Sequence, residues 1–207
     1  MKRQSKRILI IEAAAILGLI ITIVINSITT FAAEVETITD NVLRLHILAN
    51  SDSDEDQALK LLVRDAILTE TAVIFENADG KEEAVMAAKK AVPEIERIAD
   101  RVIAEQGYDY DVSVSVTTME FDTRVYGDIT MPAGEYEAIR VTIGEAEGKN
   151  WWCVMFPPLC IPAVAADETI EVFNEVLTES EKDILQNPVK YEARFFIVDL
   201  INDIKSE

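Results

Sequence analysis

The first forty residues constrain this chain more than any other segment. Lys2, Arg3, Lys6 and Arg7 form a positive cluster, and an apolar run over residues 8–28 follows with Glu12 as its one charge. Thr30-Phe31-Ala32-Ala33 then offers small residues at a cleavable spacing, with Thr30 and Ala32 in the −3 and −1 positions. This is the pattern of a secretory signal. About 20 apolar residues also suffice to span a bilayer, so an uncleaved anchor is the alternative. Glu12 shortens the apolar stretch to residues 13–25, which favours the signal peptide. Either way, the positive charges hold the N-terminus inside and send the rest across. We therefore read residues 1–33 as a signal peptide or N-terminal membrane anchor, and residues 34–207 as a single extracytoplasmic domain.

The chain carries 19 basic and 38 acidic residues, a formal net charge of −19. Losing residues 1–33 would remove four bases and one acid and leave about −22. That sign argues against nucleic acid as a partner, because neutralising phosphates needs cations. It also repels an anionic lipid surface, so membrane contact would run only through residues 8–28 if they are uncleaved. The charge is spread out, which reads as solubility before it reads as a basic partner.

Hydrophobic spacing gives the elements. Residues 42–49 read as a buried strand in which Arg44 and His46 alternate with Leu43, Leu45 and Ile47, so one face carries the polar pair. Asn50-Ser51-Asp52-Ser53-Asp54-Glu55-Asp56 stops the strand and opens a helix over 54–76, with Ser53 and Asp56 spaced as a capping box. Leu59, Leu62, Val63, Ala66, Ile67 and Val73 lie near one face of that helix. A second helix covers 81–106, and Pro93 within it is expected to kink or split it. Residues 111–121 alternate strictly and predict a half-exposed strand. Residues 135–144 and 151–156 predict two strands paired as an antiparallel hairpin around the turn 144–148. Helical patterning returns over 167–185 and 189–205. The expected fold is mixed α/β (α+β), an antiparallel-containing sheet of about four strands with an inserted helix pair and C-terminal helices.

Both cysteines and both tryptophans fall in one segment, Trp151-Trp152-Cys153-Val154-Met155-Phe156-Pro157-Pro158-Leu159-Cys160. An extended chain would hold the two cysteine Cα atoms roughly 20 Å apart, whereas a disulfide needs about 6 Å. The Pro-Pro step supplies a reversal. In an oxidising space the segment is a stapled loop; in the cytosol it is two buried thiols. Export favours a Cys153–Cys160 disulfide, and closing so small a loop contributes about 2–3 kcal/mol in the chain-entropy model. Adjacent tryptophans on a strand point to opposite faces. One belongs to the core, and the other lies at the surface or beneath a helix, where tryptophan commonly anchors an interface.

Chemical motifs are scarce. Asp52-x-Asp54-x-Asp56 resembles the opening of an EF-hand loop, but Gln57 stands in place of the required glycine and Val63 in place of the bidentate glutamate. One histidine, His46, and two cysteines cannot complete a structural zinc site. No glycine-rich phosphate loop, nucleophile elbow or zinc-protease motif is present. No cofactor is implied. An envelope hydrolase would have to use His46 with Asp52, and that is the alternative functional reading.

Three segments together resemble the stage II sporulation protein R family. The first runs from Leu43-Arg44-Leu45-His46-Ile47-Leu48-Ala49-Asn50-Ser51-Asp52 through Ser53-Asp54-Glu55-Asp56-Gln57-Ala58-Leu59-Lys60 to Val63-Arg64-Asp65-Ala66. The second is Pro132-Ala133-Gly134-Glu135-Tyr136-Glu137-Ala138 with Ile143-Gly144, and the third Gly148-Lys149-Asn150-Trp151-Trp152-Cys153 continuing to Cys160. The likeness covers residues 40–165, in order, behind an export signal of the family's kind. It implies a non-enzymatic signalling protein, secreted from the forespore of an endospore-forming bacterium into the space between the forespore and mother-cell membranes. The implied partner is a membrane-embedded aspartic protease of the mother cell, which then processes pro-sigma-E. Arg44, His46, Asn50, Asp52, Trp151 and Trp152 are the candidate partner-binding residues.

Overall fold

The computed structural model of the chain describes residues 2–76, 78–126, 129–157 and 177–187, with Tyr191 and Phe195. In order these form α1 (Lys2–Asp40), β1 (Leu43–Leu48), α2 (Asp54–Glu76), α3 (Lys81–Glu105), β2 (Val112–Phe121), β3 (Arg124–Tyr126), β4 (Ile129–Met131), β5 (Gly134–Ile143), β6 (Asn150–Phe156) and α4 (Glu179–Gln186). The fold is the mixed α/β arrangement expected, with the helix pair inserted between β1 and β2.

The sheet order is β2-β5-β1-β6, and β3 pairs with β4 separately. β1 runs parallel to β5 and antiparallel to β6, and β2 is antiparallel to β5. The predicted hairpin is therefore corrected: β5 and β6 are consecutive, yet β1 lies between them. The cause is in β1 itself. Every residue from Leu43 to Ile47 is buried, including Arg44 at 0% and His46 at 3% exposure. A strand closed on both faces takes a central position, where neighbours on either side satisfy its backbone. Local alternation marked Arg44 and His46 as one polar face, but not that this face would be covered.

Two helical layers do the covering. On one side α2 and α3 pack against Leu43, Leu45, Ile47, Val114, Ile139, Val141 and Met155. α2 presents Leu59, Val63 and Ile67 to that core. Leu62 and Val73, expected on the same face, are 44% and 67% exposed. Contacts spaced by four drift about 40° per step around a helix of 3.6 residues per turn, leaving both at the trailing edge. α3 stays continuous through Pro93. It faces the sheet with Ala84, Ala88 and Ala91 before larger side chains such as Ile95 and Ile98.

On the other side lie Phe31, Val35 and Ile38 of α1, Ile184 and Leu185 of α4, and Leu177, Tyr191 and Phe195. They cover Phe121, Met131, Tyr136, Ala138 and Val154. Thr178 caps α4 in a full capping box with Glu181. The remainder of the predicted C-terminal helices falls outside the described residues.

Candidate partner-binding site

The predicted site residues separate into three places, fixed by which way each side chain leaves β1 or β6. Arg44 and His46 point to the α1/α4 side, where register sets Arg44 beside Val154 and His46 beside Trp152. Trp151 points to the opposite side. Asn50 and Asp52 lie beyond the end of β1, at the connection leading into β6.

On the α1/α4 side the imidazole of His46 stacks on Trp152, with centroids 4.0 Å apart and planes 6° from parallel. Phe121 meets the Trp152 ring edge-on at 4.7 Å. His46 Nε2 hydrogen-bonds Asn150 Oδ1 at 2.8 Å, while Nδ1 is buried without a partner. Burial lowers the His46 pKa; the Asn150 bond opposes this and nearby Arg140 adds to it. The ring is therefore neutral near pH 7.

Arg44 is enclosed by aromatic rings. Its guanidinium lies 4.0 Å from the Phe121 centroid and 4.8 Å from that of Tyr136. Nη2 donates to Tyr126 Oη at 2.6 Å, but Nε and Nη1 have no partner. Burial lowers the Arg44 pKa, partly opposed by the two tyrosines. Burial also raises the Tyr136 pKa, and its hydroxyl donates to the Pro132 carbonyl at 2.7 Å. β3 is the rim of this enclosure: it supplies Tyr126 from inside and Arg124, whose guanidinium lies 5.8 Å from the Trp152 centroid. Sequence reading did not single out Tyr126, Phe121 or Tyr136, because nothing local shows that they converge on Arg44.

Trp151 lies against the α2/α3 core, with the Arg64 guanidinium 4.2 Å from its ring centroid. Both tryptophans are half-buried, on opposite faces as expected.

Asn50 and Asp52 clamp the connection between β5 and β6. Asn50 Oδ1 accepts from Glu145 N at 3.0 Å, and Asp52 Oδ1 from Lys149 N at 2.7 Å. Backbone bonds from Glu147 N to Asn50 O and from Gly148 N to Ala49 O complete it. Two glycines permit the approach. A Cβ on Gly144, at φ +56°, or on Gly148 would lie 2.2 Å from Asn50 Oδ1 or Ser51 O respectively. Asp56 anchors the clamp from below, accepting from Asn50 Nδ2 at 2.9 Å and Ser51 Oγ at 2.5 Å. Its carboxylate is buried, which raises its pKa, but hydrogen bonds from Ser51, Asn50, Tyr110 and Ser53 outweigh burial and hold it below the ordinary value. The anticipated capping box is thus half formed: Asp56 N donates to Ser53 Oγ at 3.1 Å, and the Asp56 carboxylate turns to Asn50 and Ser51 instead.

This geometry does not assemble the hydrolase pair. His46 is bonded to Asn150 and Asp52 to Lys149, with no hydrogen bond between the two. No group of three or more metal-ligating side chains occurs among the described residues. Cys153 is buried and is not a free thiol; Cys160, its predicted partner, lies outside the described residues.

Comparison with known proteins places this arrangement. Residues 39–166 match the family model of stage II sporulation protein R. Stage II sporulation protein R of Bacillus subtilis (strain 168) is 38% identical over 187 residues, covering 82% of this chain and 84% of that protein. No solved structure matches. The three sequence segments that carry the likeness become β1 with its clamp, β5, and β6, neighbours in one sheet. The chain belongs to the stage II sporulation protein R family.

Proposed function

We propose that this protein is an exported, non-catalytic signal that activates a membrane-embedded aspartic protease of the mother cell, leading to processing of pro-sigma-E. The observation that carries this reading is its 38% identity to a stage II sporulation protein R over four-fifths of the chain. The separate engagement of His46 and Asp52 supports a binding role over an acid–base one. Such a ligand acts only through a higher affinity for the active state of its receptor.

Within this reading, Asp52 and the partly exposed Asn50, Trp151 and Trp152 are the residues able to touch a partner. Arg44 and His46 are closed to solvent and act beneath them, holding Trp152 and the β3 rim in place. The Cys153–Cys160 disulfide belongs to the same proposal. It would lower the intact mass by two hydrogens under non-reducing conditions.

Reconstitution of the full chain with the receptor protease in opposed lipid vesicles tests the function, with pro-sigma-E cleavage as readout. Cleavage should depend on this protein. Equal cleavage without it, or normal processing in a deletion strain, ends the proposal.

A further inference from the structure

α1 changes character partway along its length. Over residues 13–30 it carries no charge, and its apolar side chains face outward, as at Ile16 (60% exposed), Leu17 (58%) and Ile23 (59%). Through Ile25 the helix is apolar on every side except at Thr22, with Asn26, Ser27, Thr29 and Thr30 confined to its last turns, and such a surface requires apolar surroundings. From Phe31 onward burial becomes one-sided. Phe31, Val35 and Ile38, at i, i+4 and i+7, are 1%, 4% and 0% exposed in the domain core. Phe31 stacks on Tyr191 at 5.6 Å and meets Phe195 edge-on at 5.3 Å. Glu34 accepts a hydrogen bond from Ser180 Oγ.

We propose that α1 is retained in the mature protein, with residues 13–30 spanning the bilayer and residues 31–40 forming a rigid stem seated in the domain. The span is 18 residues, about 27 Å at ~1.5 Å per residue, close to the ~30 Å hydrocarbon core. Glu12 and Glu34 bracket it. Thr22 Oγ1 donates to the Gly18 carbonyl at 2.8 Å, so that hydroxyl is satisfied inside the helix, as lipid demands.

Cleavage between Ala32 and Ala33 fits this structure poorly. The segment is helical, whereas a peptidase reads an extended chain, and the cut would part Phe31 from the core. Nor is there slack below the stem. α1 ends at Asp40 and β1, the central strand, begins at Leu43. Lys81 of α3 donates to the Thr39 carbonyl at 3.5 Å and pairs with Glu137 of β5 at 3.3 Å. A cation at the C-terminal end of α1 also complements its dipole. The domain is thereby held against the outer leaflet in a fixed orientation, and a partner must come to it at close membrane apposition.

The test uses full-length protein made in an endospore-forming host and reads anchoring alone, independent of any signalling partner. Carbonate-washed membranes should retain it, N-terminal sequencing should find residues ahead of Ala13, and the intact mass should lie near 23.1 kDa. Amide hydrogen exchange over residues 31–39 should be slowed by orders of magnitude, matching β1. A soluble product beginning at Ala33 overturns the proposal. A retained helix whose residues 31–39 exchange as fast as an unstructured linker overturns the rigid stem. Val35→Asp should abolish the exchange protection of 31–39 while leaving the protein in the membrane; unchanged protection also counts against the stem.

Discussion

The two faces of the central sheet are built from different chemistry. Toward α2 and α3 the strands present Leu45, Ile47, Val114, Ile139 and Val141, met by alanines, isoleucines and valines. Toward α1 and α4 the same strands present Arg44, His46, Trp152, Phe121 and Tyr136. Both faces bury β1 side chains, but the first contains no charged side chain from β1, whereas the second contains two basic ones and opens to solvent toward Ser115 and Arg140. Burying a guanidinium costs several kcal/mol even after relaxation, whereas a desolvated cation–π contact returns about 2 kcal/mol. The ring contacts and the Tyr126 hydrogen bond return an amount comparable to that cost, and with two donors of Arg44 unpartnered the buried guanidinium gains little over an apolar side chain. The aliphatic face is a scaffold. The aromatic face carries groups that stability alone would not select.

The largest effect expected from this contrast is on the scaffold side. Leu45→Ala should lower unfolding free energy by about 2–5 kcal/mol, the range for a fully buried leucine. Denaturant titration of the purified full chain measures it. A loss below 1 kcal/mol would mean that this face is not the main core.

Next is the clamp that fixes the end of β1 against the β5–β6 connection. Gly148→Ala drives a Cβ into the Ser51 carbonyl, so it should cost about 1–3 kcal/mol. The same titration, with exchange rates at Glu145 and Lys149, checks that the damage is local.

The aromatic face adds a pH dependence that the scaffold lacks. The His46 pKa is depressed in the folded state, so the unfolded chain binds the proton more readily. Stability should be level above about pH 6.5 and fall as pH drops below it. His46→Gln should flatten that slope below about pH 6.5. An equally steep decline in the variant would assign the slope to other groups.

The smallest effect on stability is expected where the functional effect is greatest. Arg44→Met removes the unpartnered buried donors and the desolvated charge and keeps an unbranched apolar stem, against the loss of the Tyr126 hydrogen bond, so stability should lie within about 1 kcal/mol of the parent. If the aromatic face serves the signal, that variant stays folded and loses pro-sigma-E processing. Normal processing by Arg44→Met would make the cage a structural accident and erase the contrast between the faces.

Local pattern determined a good deal. Spacing set α2 at residues 54–76, because the acid-rich start, the four-residue stripe and the Asp79-Gly80 stop all act within a few turns. Strict alternation placed β2, and adjacency put Trp151 and Trp152 on opposite faces, since the pleat has a period of two. The charge-flanked apolar run was legible as membrane-directed for the same reason: length and composition decide it.

What sequence alone could not decide was every long-range choice. The pattern around the turn 144–148 fits a hairpin as well as it fits strands separated by β1. The winner was set by β1's need for neighbours on both edges and by the Asn50 clamp, which joins residues about 95 positions apart. Arg44 and His46 read as a polar face, yet whether such a face meets water or a helix depends on where α1 goes. Phe31 lies within a peptidase-like motif and within a core at once, and only packing reveals the second role. Hydrophobic periodicity is a property of neighbouring residues; burial, partner choice and closure of the sheet are properties of segments that meet only in three dimensions.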